Sequence, residues 1–184
     1  VLDSLSQRTT MEYKDKDDFI VTIGMVNGRL GGSEYLKTIH KKIEGPICNL
    51  DVELEAKVQS ICLEAIKNGI IKSAHDLSDG GLSVNIVESI VDSRKGLGAH
   101  LNIDRKLRLD EILFGECQSV IVVTILEEDL HKLVLIAEKE GVATQTIGRV
   151  TDDNKLIIND WIDVDRNELE EAYFNSLEKI VNND

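Results

Sequence analysis

Aromatic side chains make up only 4% of this 184-residue chain, against a hydrophobic content of 42%. A sizeable core is available, but it has to be aliphatic. Positive charge is also in deficit: 21 Lys and Arg face 34 Asp and Glu, a formal net charge of −13. A field of that sign repels polyanions, which excludes nonspecific attachment to nucleic acid or to an anionic membrane. It leaves room for a small phosphorylated ligand held at contact distance by backbone N–H groups and Mg²⁺. Cysteine is limited to Cys48, Cys62 and Cys117, an odd number without a C-x-x-C pair, so neither a disulfide framework nor a zinc site is indicated and a reducing, cytoplasmic setting is expected. No stretch approaches 18 consecutive apolar residues, and the start carries no basic and apolar leader. The chain opens on Val1 with a polar, irregular segment over 1–17, which suggests a single domain, 1–184, cut from something longer.

What is present is concentrated in one stretch. SAHDLSDGGL, residues 73–82, packs two carboxylates, an imidazole, two hydroxyls and a glycine pair between the apolar Ile70-Ile71 and a helical face formed by Leu82, Ile86 and Ile90. Such a strand-to-helix turn offers free N–H groups and close backbone approach to an anion, and its carboxylates could share Mg²⁺ with phosphates. The residues alone leave a second reading open, in which Ser78 or Asp79 simply caps the helix. The spacing is neither the dinucleotide fingerprint nor the P-loop. A second glycine turn, Gly31-Gly32-Ser33, opens a helix with Leu36, Ile39 and Ile43 on one face, and read alone it is a flexible loop with Ser33 as N-cap.

Apolar periodicity supplies the remaining elements. Residues 19–25 alternate like a strand, 51–68 carry Leu54, Val58, Ile61 and Ala65 on one helical face with Gly69 as the stop, and 99–103 form a short strand. Val120 to Ile125 is apolar on both faces and so expected to be central. An amphipathic helix over 127–140 follows, and strands over 142–150 and 156–158 resemble a closing hairpin. Asp165 with Glu168 starts the last helix, carrying Leu169, Tyr173, Leu177 and Ile180. Trp161 and Tyr173 are expected as core anchors. Strands and helices interleave without repeats, predicting an α+β, layered fold: a mixed β-sheet covered by helices. His40, His100 and His131 stand apart without ligand spacing, and no cysteine occupies a nucleophile elbow beside a histidine, which argues against glutamine hydrolysis here.

Four motifs in order, GGSEYLK (31–37), SAHDLSDGGL (73–82), LFGECQS (113–119) and IGRVT (147–151), resemble the aminoimidazole ribonucleotide synthase-related superfamily, C-terminal domain, and within it the phosphoribosylformylglycinamidine synthases. The resemblance covers nearly the whole chain and implies that superfamily's C-terminal fold. It also implies a share in an ATP-dependent ligase of purine biosynthesis that converts formylglycinamide ribonucleotide and ammonia to the amidine. Sister families, aminoimidazole ribonucleotide synthase and selenophosphate synthetase among them, are the alternative, as is a non-catalytic, nucleotide-holding domain.

Carried over by position, the resemblance implies that Gly31, Gly32, Ser33, His75, Asp76, Ser78, Gly80 and Gly81 face nucleotide or phosphate, and that Asp76 and Glu116 border Mg²⁺. No catalytic residue is implied, and His75 on its own reading orients the turn. ATP or ADP with Mg²⁺ is implied for the full-length enzyme. The implied partners are the N-terminal domains of the same synthetase chain, a glutaminase subunit or domain, and a phosphorylated small-molecule substrate. A piece lacking those domains is expected to be inactive and to self-associate through an exposed apolar face. Two departures stand out: Cys117 where serine is usual and Val120 where arginine is common, which leaves Gln118 and Ser119 outside the expected ligand set.

Overall fold

The computed structural model describes residues 8–181, and of 177–180 the backbone alone. Seven strands form one sheet in the order β2-β4-β1-β5-β3-β6-β7. Their ranges are β1 Phe19–Ile23, β2 Ile71–Asp76, β3 Gly98–Leu101, β4 Ile121–Ile125, β5 Thr144–Thr151, β6 Lys155–Ile158 and β7 Ile162–Asp165. Every pairing is antiparallel except β3 with β6, so the sheet is mixed as expected.

Alternation along the strands divides the core between two faces. Val21, Ile23, Val123 and Ile125 face one way, towards Val58, Ile61 and Ala65 of α2 (Val52–Lys67) and Leu133, Ile136 and Ala137 of α5 (Leu130–Glu140). Ile20, Val122, Val150 and Leu156 face the other way, towards Leu82, Ile86 and Ile90 of α3 (Gly81–Val91) and Ile112 and Leu113 of α4 (Leu109–Phe114). The last helix, α6 (Arg166–Val181), contacts α3. Each buried Ile or Leu contributes roughly 1.5–3 kcal/mol, and this aliphatic supply substitutes for the missing aromatics.

Local signals set the helix ends. Asp51 accepts from the N–H groups of Glu53 and Leu54 to cap α2, and Gly141, at φ +70°, closes α5. The charged start 127–129 is a 3-10 turn rather than part of the α-helix. In α1 (Glu34–His40), Ser33 caps as read, its Oγ accepting from Leu36 N–H at 3.3 Å.

Several expectations are corrected. The segments 142–150 and 156–158 do not form a hairpin, because β3 lies between β5 and β6, with Ala99 opposite both Val150 and Leu156. A periodic pattern shows which residues face the core but not which strand is the neighbour. Gly98 admits the intruding strand: a Cβ there would lie 2.2 Å from the Lys155 carbonyl oxygen. The hairpin that does form is β6–β7, with Leu156 opposite Val164. The expected apolar stripe of α1 faces no core, Ile39 being 62% and Ile43 82% exposed, and the helix ends at His40 before Lys41 turns left-handed. Trp161 packs half-buried against the core, whereas Tyr173 is exposed on α6. Residues 1–7 of the leading segment, and the side chains of Leu177 and Ile180, lie outside the described residues.

Candidate functional site

Strand register brings the two richest motifs together. Asp76, at the end of β2, and Ile23, at the end of β1, both sit opposite Ile121, the first residue of β4. The turn after β2 and the FGECQS segment before β4 therefore emerge at one edge of the sheet. The Leu77 N–H extends the ladder to the Val120 carbonyl at 2.9 Å, carrying both segments past the last paired residues.

Between them lies a cleft of about 570 Å³, walled by Asp76, Ser78, Asp79, Glu116, Gln118 and Ser119, with Glu55, Gln59 and Leu50 from the α2 side. A hollow of about 730 Å³ lies between segment 8–14 and residues 92–95, and it contains none of the motif residues expected to bind ligand. The smaller cleft is the chemical candidate because the convergent polar groups are there.

Glu116 is the pivot of this cleft. Its Oε1 accepts from the backbone N–H of Gly80 at 2.7 Å and of Glu34 at 2.8 Å, so one carboxylate oxygen ties the SDGG turn to the first turn of α1. Gly80 is the N-cap of α3 at φ +80° and contributes no side-chain cap; Ser78 takes part through its carbonyl, which accepts from Gly81 N–H. Capping of α3 by the side chain of Ser78 or Asp79 is thus not what the residues do. The glycine pair serves close approach: a Cβ on Gly81, itself at φ +69°, would lie 2.7 Å from the carbonyl carbon of Phe114.

The remaining expected residues fall at different distances from this pivot. Asp76 and Ser78 are exposed on the cleft wall. His75, one residue earlier, lies outside the lining: its Nε2 is 3.4 Å from Glu88 Oε2 on α3, and its Nδ1 is buried without a protein partner. Gly31, Gly32 and Ser33 also lie outside it, joined to it through Glu34. The Gly32 N–H donates to Glu44 O and the Ser33 N–H to Leu30 O, so these amides already have protein acceptors. Gly31 is packed so closely that a Cβ would lie 2.0 Å from Pro46 O.

Sequence reasoning passed over several participants. Glu55 faces the cleft and accepts from Ser119 Oγ at 2.8 Å, while Asn85 of α3 donates to the Asp76 carbonyl at 2.8 Å and steadies the end of β2. Glu55 sits on the polar side of a good amphipathic helix, where nothing distinguishes it from a solvated charge. Gln118 and Ser119, set aside because of the neighbouring departures, both line the cleft; Ser119 has φ +64°, and its carbonyl packs against Gly24.

Four carboxylates, Glu55, Asp76, Asp79 and Glu116, give the cleft hard oxygen donors and a negative field. Among the described residues no three His, Cys, Asp or Glu side chains converge into a metal cage. That donor set suits Mg²⁺, which typically takes one or two carboxylates and leaves its other positions to water and phosphate oxygens.

Residues 16–160 match the family described as AIR synthase related protein, C-terminal domain. The chain belongs to that family. Among curated relatives of this AIR synthase related domain, the phosphoribosylformylglycinamidine synthase subunit PurL of Alkaliphilus metalliredigens (strain QYMF) is 35% identical over 150 residues, which are 82% of this chain and 20% of that protein. The corresponding subunit of Caldanaerobacter subterraneus subsp. tengcongensis gives the same identity and shares. The domain therefore spans about a fifth of the length of the curated relatives it matches. Its fold is that of T. maritima PurL complexed with FGAR, with a TM-score of 0.74 at 20% identity over 90% of this chain and 30% of that one. No described helix is long and apolar enough to cross a membrane.

Proposed function

We propose that this domain is the C-terminal portion, 1–184, of a phosphoribosylformylglycinamidine synthase and supplies one wall of a cleft for ATP or ADP with Mg²⁺. The observation that carries the reading is the convergence of Asp76, Ser78 and Glu116, from motifs far apart in sequence, on one concave edge of the sheet. Likeness to the PurL subunits supports it, T. maritima PurL being known complexed with FGAR and with ATP, as does the donor chemistry of the cleft. A cleft walled by four carboxylates repels a bare phosphate and accepts one accompanied by a divalent cation. Asp76, with the free oxygen of Glu116, would hold Mg²⁺; bound there, the ion would supply charge neutralisation for the phosphates.

In the reaction so assigned, the amide oxygen of formylglycinamide ribonucleotide takes the γ-phosphoryl group from ATP, releasing ADP. Ammonia then adds to the activated carbon and phosphate leaves, giving the amidine. Ammonia comes from glutamine through a glutaminase subunit or domain, since no cysteine here has the setting of a hydrolytic nucleophile. The rest of the active cleft comes from N-terminal domains of the same chain, so the domain alone is inactive, and the enzyme works in the cytoplasm. The glycines of 31–33 act in this reading as packing against Pro46 and Glu44, with Gly80 and Gly81 shaping the approach to phosphate.

A second reading, a nucleotide-holding scaffold without chemistry, is favoured by one observation: the N–H groups of Gly32, Ser33, Glu34 and Gly80 are occupied by protein acceptors rather than left for an anion. Full-length synthetase carrying Asp76→Asn separates the two. The ligase reading expects retained folding, nucleotide occupancy lowered and turnover lowered at least tenfold. Lowered occupancy with full turnover favours the scaffold, and unchanged occupancy and turnover remove the site role altogether.

A further inference from the structure

Two thiols beside the cleft have no part in the function proposed above. Cys48 and Cys117 are separated by 69 positions in sequence, yet their Sγ atoms lie 3.4 Å apart. Cys117 is buried, its sulfur accepting from the Arg29 N–H at 3.5 Å and donating to Asn27 Oδ1. Cys48 is half-buried on segment 41–51, which has neither helix nor strand, and its thiol also approaches the Glu116 carbonyl at 3.5 Å. Both are reduced, and the third cysteine, Cys62, is buried alone on the opposite face of the sheet.

We propose that Cys48 and Cys117 are a reversible dithiol–disulfide pair that ties segment 41–51 to the FGECQS wall of the cleft. An S–S bond is about 2.05 Å long, so the sulfurs must close by roughly 1.4 Å. Rotation of Cys48 on its irregular segment supplies that movement, while Asn27 and Arg29 hold Cys117 in place. The oxidant is a hydroperoxide. The Cys48 thiolate attacks a peroxide oxygen, the O–O bond breaks, and the sulfur becomes a sulfenic acid as one water leaves. The Cys117 sulfur then attacks the sulfenic sulfur, its proton departing with the hydroxyl as a second water. Two thiols and one hydrogen peroxide thus give one disulfide and two waters. An external dithiol reverses the bond and is itself oxidised.

Proximity, not acidity, makes the pair selective. Burial and the neighbouring Cys117 push the Cys48 thiol up to about 11, and burial alone pushes Cys62 to about 11 as well. Thiolate is scarce at neutral pH, so oxidation is slow and accelerates about tenfold per pH unit below that value. Once Cys48 is oxidised, however, a second sulfur is already in contact to capture it. Closure restrains Leu50, two residues away on the cleft rim, and withdraws the thiol donor from the Glu116 carbonyl.

The test treats the 184-residue chain with hydrogen peroxide at pH 8 and reads thiol count, peptide mass and melting temperature. The expected result is a fall from three free thiols to one, a Cys48–Cys117 linked peptide with two hydrogens lost, and a melting temperature higher by on the order of 5 °C, all reversed by dithiothreitol. Cys62→Ser leaves the cross-link intact and Cys48→Ser abolishes it; because Cys48 lies on an irregular segment, that variant serves even where Cys117→Ser fails to fold. Sulfinic acid at Cys48 with Cys117 still free, a cross-link between two chains, or three unreacted thiols would each overturn the proposal.

Discussion

The backbone N–H of Gly80 donates to Glu116 Oε1 at 2.7 Å, joining two turns 36 residues apart in sequence. The same oxygen accepts from Glu34 N–H, so removing the carboxylate strands two donors. Glu116→Ala should cost about 2–4 kcal/mol of unfolding free energy, and Glu116→Gln, which keeps an acceptor without the charge, about 1–2 kcal/mol. Urea unfolding checks this through a lowered midpoint at unchanged slope; equal stability for the alanine variant would mean that water replaces the carboxylate without loss.

Gly81 and Gly96 provide a matched pair. Both have positive φ, +69° and +65°, but an added Cβ meets the Phe114–Gly115 backbone at the first and nothing within 4 Å at the second. Gly96→Ala should therefore show only the left-handed penalty, about 1–2 kcal/mol, whereas Gly81→Ala adds a clash of roughly 1–3 kcal/mol more. Thermal unfolding of the two variants side by side measures the difference.

Lys72 lies 2.7 Å from both Asp18, which is 1% exposed, and the largely exposed Asp15. Burial raises the Asp18 carboxyl against the pull of Lys72, while hydrogen bonds from Lys72 and then Lys95 hold Asp15 down at about 2. Lys72→Met leaves a buried carboxylate uncompensated and should cost about 3 kcal/mol, most of which returns when Asp18→Asn is added. For Asp15 the sign follows from its depressed value. Its contribution is present above about pH 4 and is lost as pH falls towards about 2. Solvent screening keeps it under about 1 kcal/mol, so Asp15→Asn should slightly flatten the acid limb of the stability profile.

Ile39, Ile43, Ile47, Leu50 and Val52 are each more than half exposed along one stretch of chain. The proposal that other domains of the synthetase cover it predicts concentration-dependent self-association of the 184-residue chain, reduced by Ile43→Lys with Ile47→Lys. Sedimentation velocity across a range of concentrations tests this, a monomer throughout being the contrary result.

What could be read from the sequence divides along physical lines. Local signals survived folding: Ser33 as a cap, Gly69 at φ +68° just past the end of α2, and the apolar runs of β1 and β4 that divide the core between two faces. Non-local pairing did not, because alternation in Leu156 and Ile158 marks a buried face without marking β3 as the neighbour. At the cleft, the acidic and glycine residues of SAHDLSDGGL stood out by concentration, whereas Glu116 of FGECQS entered only through the family resemblance. The division of labour among them depends on register: His75 and Asp76 are adjacent, and the one meets α3 while the other lines the cleft. Glu55 was invisible because only the tertiary fold turns a helix-surface carboxylate into a wall.

The proposed site receives a nucleotide only together with its cation. Amide shifts of the ¹⁵N-labelled chain, titrated with ATP in the presence of Mg²⁺ and again with EDTA, test it most directly at the millimolar affinity expected of half a cleft. Movement centred on residues 76–80 and 116–119 is expected with Mg²⁺ and none with EDTA. Shifts centred elsewhere, or the same shifts without the cation, would rule out a cation-dependent site here.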